Sequence, residues 1–365
     1  VNVDYLVVGS GLTGSVIARM LADEGREVLV VDRRNHLGGN VHDHTHHSGI
    51  RIHTYGPHYF RTSSDEIWDY VRRFGQFYHY EAEVLAEIEN RRLYPWPLQA
   101  SDITELVGSA DWELAPCEKP QNLREAARRF MPEKVFDLFV RQYNEKQWGV
   151  DCKRLGPELC RRFDVRTNED RRLTPNAKYQ GIPLDGYASW MTAMLTGIPV
   201  LMNYNWSTRR TEIRAKKCLV YTGPIDEYFD FHLGKLDYRS QRRNHVYYPQ
   251  ANFKQLKGQI NNPLHALGPH IRTLEWKHML PVDVANKITG TVLTTETPYS
   301  PTSPNDYEYP FPDSRNAELY GRYREIANAM KNVVIAGRLG EYKYLDMDQA
   351  IGRAMLLADR LMGKR

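Results

Sequence analysis

This 365-residue chain is poor in several things at once. It has four cysteines, Cys117, Cys152, Cys160 and Cys218. They are too few and too irregularly spaced for a disulfide framework or a zinc site, so no metal is expected. Neither sign of charge dominates: 49 Lys and Arg stand against 45 Asp and Glu, a formal +4. Nucleic-acid binders concentrate surplus base on one face, so no nucleic-acid partner is expected. No run approaches 18 consecutive apolar residues, which excludes a transmembrane helix and membrane insertion through one. Internal repeats and low-complexity stretches are missing too. The opening residues run directly into an apolar stretch, leaving no room for a signal peptide, and a cytoplasmic location is the expectation. What is plentiful is aromatic side chains with polar handles: 23 Tyr and 7 Trp against 11 Phe.

The first forty residues predict strand, tight turn, helix, strand. Val3–Val8 is a short apolar run, Ser15–Glu24 has helical spacing at Val16, Met20 and Leu21, and Val28–Val31 is again apolar. That is a βαβ start with a parallel sheet. Residues 101–141 place apolar residues three and four apart, with Pro116 and Pro120 punctuating the segment. Residues 236–310 carry short β-rich stretches, such as 246–248 and 291–295, and suggest an antiparallel sheet, with 298–312 as loop. The end returns to α/β: a strand at 332–336, a turn at 337–340, and a helix from about Met347 to Leu361. A sheet begun at one end of the chain and completed at the other implies a discontinuous domain with insertions.

Between the first strand and helix stands Gly9-Ser10-Gly11-Leu12-Thr13-Gly14. Gly9 permits the tight turn, Gly11 lets backbone approach a pyrophosphate, and Gly14 lets helix and strand close together. The helix N-terminus then offers N–H groups to phosphate. Asp32 ends the second strand, where an acid can bind a ribose hydroxyl. This motif alone does not separate FAD from NAD. The continuation Arg33-Arg34-Asn35-His36-Leu37-Gly38-Gly39-Asn40 favours FAD, because a Gly-Gly pair lets the chain turn back toward the diphosphate. No second such turn exists for a nicotinamide, so any reductant is met transiently.

Further blocks carry a resemblance. Gly38-Gly39-Asn40, Tyr55 through Thr62, Tyr143-Asn144-Glu145-Lys146-Gln147-Trp148-Gly149, Tyr179 through Pro183, Tyr221 through Asp226, Gly337-Arg338-Leu339 and Tyr344 through Met347 occur in order along the chain. In these the chain resembles the bacterial UDP-galactopyranose mutase family. The resemblance implies an isomerase of cell-surface polysaccharide biosynthesis, a flavoprotein interconverting pyranose and furanose forms of a nucleotide-diphosphate hexose. It implies that reduced flavin N5 attacks the anomeric carbon, forming a sugar adduct while the diphosphate leaves and returns. It further implies FAD as FADH-, an external reductant such as NAD(P)H, a nucleotide-sugar partner and a homodimer. Residue by residue, Arg162 and Arg272 match the family's phosphate arginines, and Tyr143, Tyr309 and Tyr344 its phosphate-contacting tyrosines. Trp148 matches a mobile-loop tryptophan, Phe139 a uridine-stacking aromatic, and His58 a histidine beside the flavin. Tyr59, Thr222, Gly223, Gly337, Arg338, Asp346, Met347 and Gln349 fall on cofactor positions.

The fold implied is α/β: a Rossmann-like FAD-binding domain (1–80, 184–235 and 320–365), a helical insertion with a mobile loop (98–161), and an antiparallel sheet domain for substrate (81–97, 162–183 and 236–319). The chain departs from the family where substrate is felt. Arg61 replaces a histidine, and Leu173 falls where a phosphate tyrosine is usual. Pro95-Trp96-Pro97 replaces Asn-Leu-Pro. Arg61 could supply charge in place of the lost hydroxyl. Two other readings share the FAD frame. An oxidase of the amine-oxidase type would want an apolar substrate cage in place of two arginines. A non-catalytic nucleotide-sugar sensor has only Arg61 and Leu173 in its favour.

Overall fold

The computed structural model describes residues 1–364; Arg365 and the side chain of Arg162 lie outside the described residues. Five strands form one parallel sheet, in the spatial order Val200–Leu201, Val28–Val31, Asn2–Val8, Arg214–Tyr221 and Val333–Ile335. All four residues of Val28–Val31 are buried, as expected when both faces of a parallel sheet are covered. On one face the helix Leu12–Asp23 buries Val16, Ile17 and Leu21, and the C-terminal helix Met347–Leu361 buries Ile351, Ala354 and Ala358. The alanines let these two helices approach closely. The other face is rich in aromatics: Tyr204, Trp206, Tyr221, Tyr228, Tyr238, Tyr307 and Tyr323 join aliphatic residues in a core in which Tyr238 and Tyr307 stack at 3.9 Å. Much of the tyrosine excess is therefore structural.

A seven-stranded sheet runs in the order Tyr309–Pro310, Tyr238–Tyr248, Thr291–Tyr299, Arg272–Glu275, Gln259–Asn261, Val84–Glu87 and Leu93–Trp96. It is antiparallel except where Gln259–Asn261 runs parallel to Val84–Glu87. The segment 298–312, expected as loop, thus contributes the edge strand Tyr309–Pro310. The motif segment Tyr179–Pro183 forms a strand outside the large sheet. It pairs instead with Phe60–Thr62 and Phe77–His79. Gly181 makes that pairing feasible, since a Cβ there would stand 2.5 Å from the carbonyl oxygen of Tyr78. Residues 337–340, expected as a turn, form one helical turn.

The helical segment opens with Ala100–Val107, whose Gln99 and Asp102 form a capping box. After a non-helical stretch around Pro116 and Pro120 comes Leu123–Arg128, capped by Asn122 accepting from Glu125 N–H at 3.0 Å. Phe136–Arg141 then widens to π-helical turns before Gln142–Trp148. Such wide turns are common at functional sites. Gly149 ends the helix at φ 72°, a left-handed conformation that suits glycine. Among the described residues no helix is long and apolar enough to cross a membrane.

Candidate functional site

Three connected cavities lie where the parallel sheet, the large sheet and the helical segment meet. The first is a crevice over the glycine turn, lined by Gly9, Gly11, Leu12, Thr13, Asp32, Arg33, Gly38, Gly39, Asn40, Thr222, Gly223 and Gly337. Its walls explain the glycines. A Cβ on Gly39 would stand 3.0 Å from the Gly11 Cα, and one on Gly9 would stand 2.1 Å from Thr222 Oγ1. Gly14 lies beneath, where a Cβ would meet the Gly9 carbonyl oxygen at 2.0 Å.

The helix Leu12–Asp23 has no side-chain cap and no acid in its first turn, so its leading N–H groups face the crevice uncompensated. Arg33, Arg34 and Arg338 line the same space, and Asp32 is the one carboxylate there. Asp32 braces the turn, accepting from Ser10 N–H and Ser10 Oγ at 2.7 Å each and from Arg34 N–H at 2.9 Å. A carboxylate has about four acceptor sites, so about one is left for a hydroxyl. Arg33 is committed to Glu227 at 2.6 Å. Arg34, not singled out from the sequence, donates to Asn40 at 2.9 Å and lies over the Tyr55 ring. A donor-rich cradle closed by glycine backbone fits the diphosphate of a flavin dinucleotide.

The crevice opens into a cleft of about 1680 Å³ through His58, Arg338, Leu345 and Met347, which line both. Tyr59, Asp346 and Gln349, expected at the cofactor, line this cleft and not the glycine crevice. Tyr59 is wedged against Tyr80 and donates to Gln259 at 3.3 Å. Asp346 and Gln349 form the capping box of the C-terminal helix, so part of that N-terminus is already satisfied internally. Asp346 also pairs with Arg61 at 3.1 Å, so the Arg61 charge is partly matched within the protein.

His58 Nδ1 lies 2.7 Å from the Gly56 carbonyl, which can only accept. The proton is therefore on Nδ1, and Nε2 carries a lone pair. Burial, helped by the nearby Arg338 charge, pushes its pKa down to about 3. It is a neutral acceptor at neutral pH.

The cleft leads on to a pocket of about 200 Å³ lined by Trp96, Phe139, Tyr143, Asn144, Gln147, Asn261 and Leu173. Trp148, Phe163, Leu173, Arg272, Tyr309 and Tyr344 line both spaces. Tyr309 and Tyr344 stack at 6.1 Å and 8°, with Arg338 over the Tyr344 ring. Trp148 meets Phe311 edge-on.

Arg272 is held by sheet register. Glu296 is its Cα partner on one side, and Arg243 is the partner of Glu296 on the other. Arg272 donates through Nε to Glu296, while Arg243 donates to Glu296 at 2.8 Å and to both oxygens of Glu308 at 2.8 Å. Burial opposes ionisation of Glu296, but Arg272 and Arg243 hold its pKa below the ordinary value. Burial likewise opposes the Arg272 charge, and Glu296 more than restores it. Gly56, at φ 94°, leaves room for this chain: a Cβ there would lie 2.9 Å from Glu296 Oε1.

Inward charges on strands have no signature in a single sequence, and Arg243, Glu296 and Glu308 were not singled out. Of the two expected phosphate arginines, Arg272 is thus placed beside Tyr309 and Tyr344, and Arg162 ends a short helical stretch, Pro157–Arg162.

Comparison with known proteins agrees with the geometry. The family description UDP-galactopyranose mutase matches residues 138–344, and an NAD(P)-binding Rossmann-like domain matches residues 7–74. The chain is 30% identical to a probable UDP-galactopyranose mutase of Klebsiella pneumoniae, over 99% of this chain and 95% of that one. It is 28% identical to a dTDP-fucopyranose mutase of Escherichia coli, over 96% of each. A crystal structure of reduced UDP-galactopyranose mutase shares the fold at a TM-score of 0.77 and 16% identity, over 100% of this chain and 96% of that one. With more than half its length inside the family description and near-complete alignment to a 30% identical relative, this chain belongs to the UDP-galactopyranose mutase family, isomerases that act on nucleotide sugars.

Proposed function

We propose that this protein interconverts the pyranose and furanose forms of a nucleotide-diphosphate hexose on reduced FAD, with UDP-galactopyranose or a close analogue as substrate. The observation that carries the reading is the place of Arg272. Its Nε is tied to Glu296, and it lines the junction between the flavin-side cleft and the aromatic pocket. A base in the aromatic pocket and a hexose near His58 would put a diphosphate beside it. The guanidinium fork is oriented in advance and cannot lose its charge. It would hold the diphosphate and stabilise the negative charge that grows as the glycosyl bond breaks. Arg162 is assigned the second cationic role, and the hydroxyls of Tyr143, Tyr309 and Tyr344 hydrogen bonds to phosphate.

Bound and reduced, the flavin would supply the nucleophile for the anomeric carbon, with no net redox. His58, neutral with a bare Nε2, can accept a hydrogen bond at that atom but brings no cation to the flavin. Gly9, Gly11, Gly38, Gly39, Thr222 and Arg338 would hold the cofactor. Among the described residues one glycine-lined dinucleotide crevice is found, which supports an external reductant such as NAD(P)H. A cleft with a fixed cation in its wall does not suit an amine oxidase.

The test is turnover by dithionite-reduced enzyme, with furanose product separated by chromatography. UDP-galactopyranose, UDP-N-acetylgalactosamine, UDP-arabinopyranose and a dTDP-6-deoxyhexose form the panel. Conversion of at least one is expected, with none by oxidised enzyme. A panel left untouched overturns the proposal.

A further inference from the structure

The helix Gln142–Trp148 brings Tyr143, Gln147 and Trp148 to the inner pocket, and two buried cations hold it there. Lys146, on the helix itself, is 8% exposed. Its Nζ donates to the carbonyls of Asn262 at 3.0 Å and His270 at 3.1 Å. Those two residues lie at either end of the connection between the strands Gln259–Asn261 and Arg272–Glu275, so the helix is tied to the segment that delivers Arg272. His265, within that connection, donates its N–H to Gln142 Oε1 at 2.9 Å and sets its Nε2 3.2 Å from Glu145 Oε2. Arg239 comes from the strand Tyr238–Tyr248, where its Cα partner is Tyr309. It is also 8% exposed. Its Nε donates to the Gln147 carbonyl at 2.6 Å, Nη2 to the Lys146 carbonyl at 3.1 Å, and Nη1 to Ser300 Oγ at 2.8 Å. A Cβ on Gly149 would lie 3.7 Å from Nη1, so the guanidinium rests against the residue that ends the helix.

Among the described residues neither cation meets a carboxylate, and burial lowers the pKa of both, that of Lys146 to about 8. A buried charge without a counter-ion is costly, and a well-packed apolar side chain would ordinarily serve the fold better. Both charges are given over to backbone carbonyls instead. Arg239 takes two of the last carbonyls of the helix, where a cation also meets the negative end of the helix dipole. Departures of this kind from ordinary packing are expected where function requires them. We propose that Arg239 and Lys146 are positioning residues for substrate binding: they fix the helix Gln142–Trp148 between Arg272 and Tyr309, and so set where Tyr143 and Trp148 stand against the nucleotide sugar. This rests on the mutase reading above. Neither cation lines any of the three cavities, so each acts through the helix and not by contact. Placement that serves ground state and transition state alike is felt in KM and not in kcat.

The experiment uses the FAD holoenzyme, with UDP as the calorimetric probe and steady-state kinetics on the nucleotide sugar that the wild type converts. Arg239→Met and Lys146→Met remove the charge and the donors while filling most of the space. Each is expected to weaken UDP about tenfold and to raise KM in proportion, with kcat within about twofold of wild type. Flavin content should stay full, because neither side chain reaches the glycine crevice. A residue that served the fold alone would lower Tm and leave KM in place. UDP affinity and KM unchanged in both variants therefore overturn the proposal, whatever the melts show. So does a fall in kcat at constant KM, or loss of flavin and fold in both variants, which marks a structural role. If one variant does not fold, the other decides. The two readings fail differently: wild-type enzyme that binds no UDP and converts no nucleotide sugar overturns the mutase reading and this one together, whereas wild-type KM matched by both variants overturns this one alone.

Discussion

Glu296 sits fully buried between Arg243 and Arg272, and its negative charge lets two guanidinium groups lie close together. Glutamine at that position would leave Arg272 buried without its carboxylate, beside an Arg243 still paired to Glu308. Breaking a buried ion pair by removing one partner costs about 3–5 kcal/mol. We expect Glu296→Gln to lose about 3 kcal/mol in denaturant unfolding and to raise KM for the nucleotide sugar. Stability and KM both unchanged would mean that Arg272 is held by something else. Much at this scale was legible from the quoted motifs and, for Arg272, from the resemblance they carry: the glycines, His58 and Arg272 all line the cavities or lie directly beneath them. The partners of those residues were not legible. Arg61 and Asp346 are 285 positions apart in sequence, and their pairing depends on how two distant segments meet.

Among the elements, the turn from first strand to first helix is specified most locally. Gly14 lies inside a helix, where alanine would ordinarily be preferred by about 1 kcal/mol. Here a methyl group would run into the Gly9 carbonyl at 2.0 Å, so the turn itself would have to open. Gly321 lies inside the helix Ser314–Asn328 with nothing within 4 Å of a built Cβ. Gly14→Ala should therefore strip the protein of flavin absorbance, and Gly321→Ala should keep it while gaining about 0.5–1 kcal/mol. Purified Gly14→Ala protein with a full flavin spectrum would refute the close-approach argument. The helix Met347–Leu361 was foreseen with its observed ends, because its apolar period and the Asp346 cap are both local. The pairing of the strand Tyr179–Pro183 was not legible, because strand pairing depends on which edge is available, a property of other segments.

At the scale of the whole molecule, burial sets the response to acid. His53 and His58 are both pushed down to about 3 by burial, against 6.5 for an ordinary histidine. Below pH 6.5 the unfolded chain takes up two protons that the folded molecule refuses until about pH 3. The stability held above pH 6.5 is thus lost as pH falls through that window, at up to about 1.4 kcal/mol per group per unit. Asp226 and Asp348 work in the opposite direction, since burial raises both, Asp226 to about 6. Burial also lowers His36, His46, His245 and His270 and pushes His42 to about 4, so the histidines outnumber them. Thermal melts of the holoprotein should show Tm falling clearly from pH 7 to pH 5. A flat Tm across that range would show that the two imidazoles reach water.

The balance between sequence and tertiary structure follows from distance. Period, turn chemistry and capping act over a few residues, so the chain by itself specified the βαβ start, the glycine cradle, the closing α/β unit and, by motif, the family. The polar aromatics were visible as a surplus, and the resemblance set four of them apart as site residues, but the members of the aromatic core were not legible. Tyr143, Trp148, Tyr309 and Tyr344 line the site, while Tyr221, Tyr238, Tyr307 and Tyr323 form a core beneath the parallel sheet. Only the tertiary structure decided which tyrosines form that core, along with the alignment of Arg243, Glu296 and Arg272 across three strands and the meeting of Trp96 with Phe139. Each of these depends on sheet register or on two remote elements closing over one cavity, and neither condition is written in any local stretch of the chain.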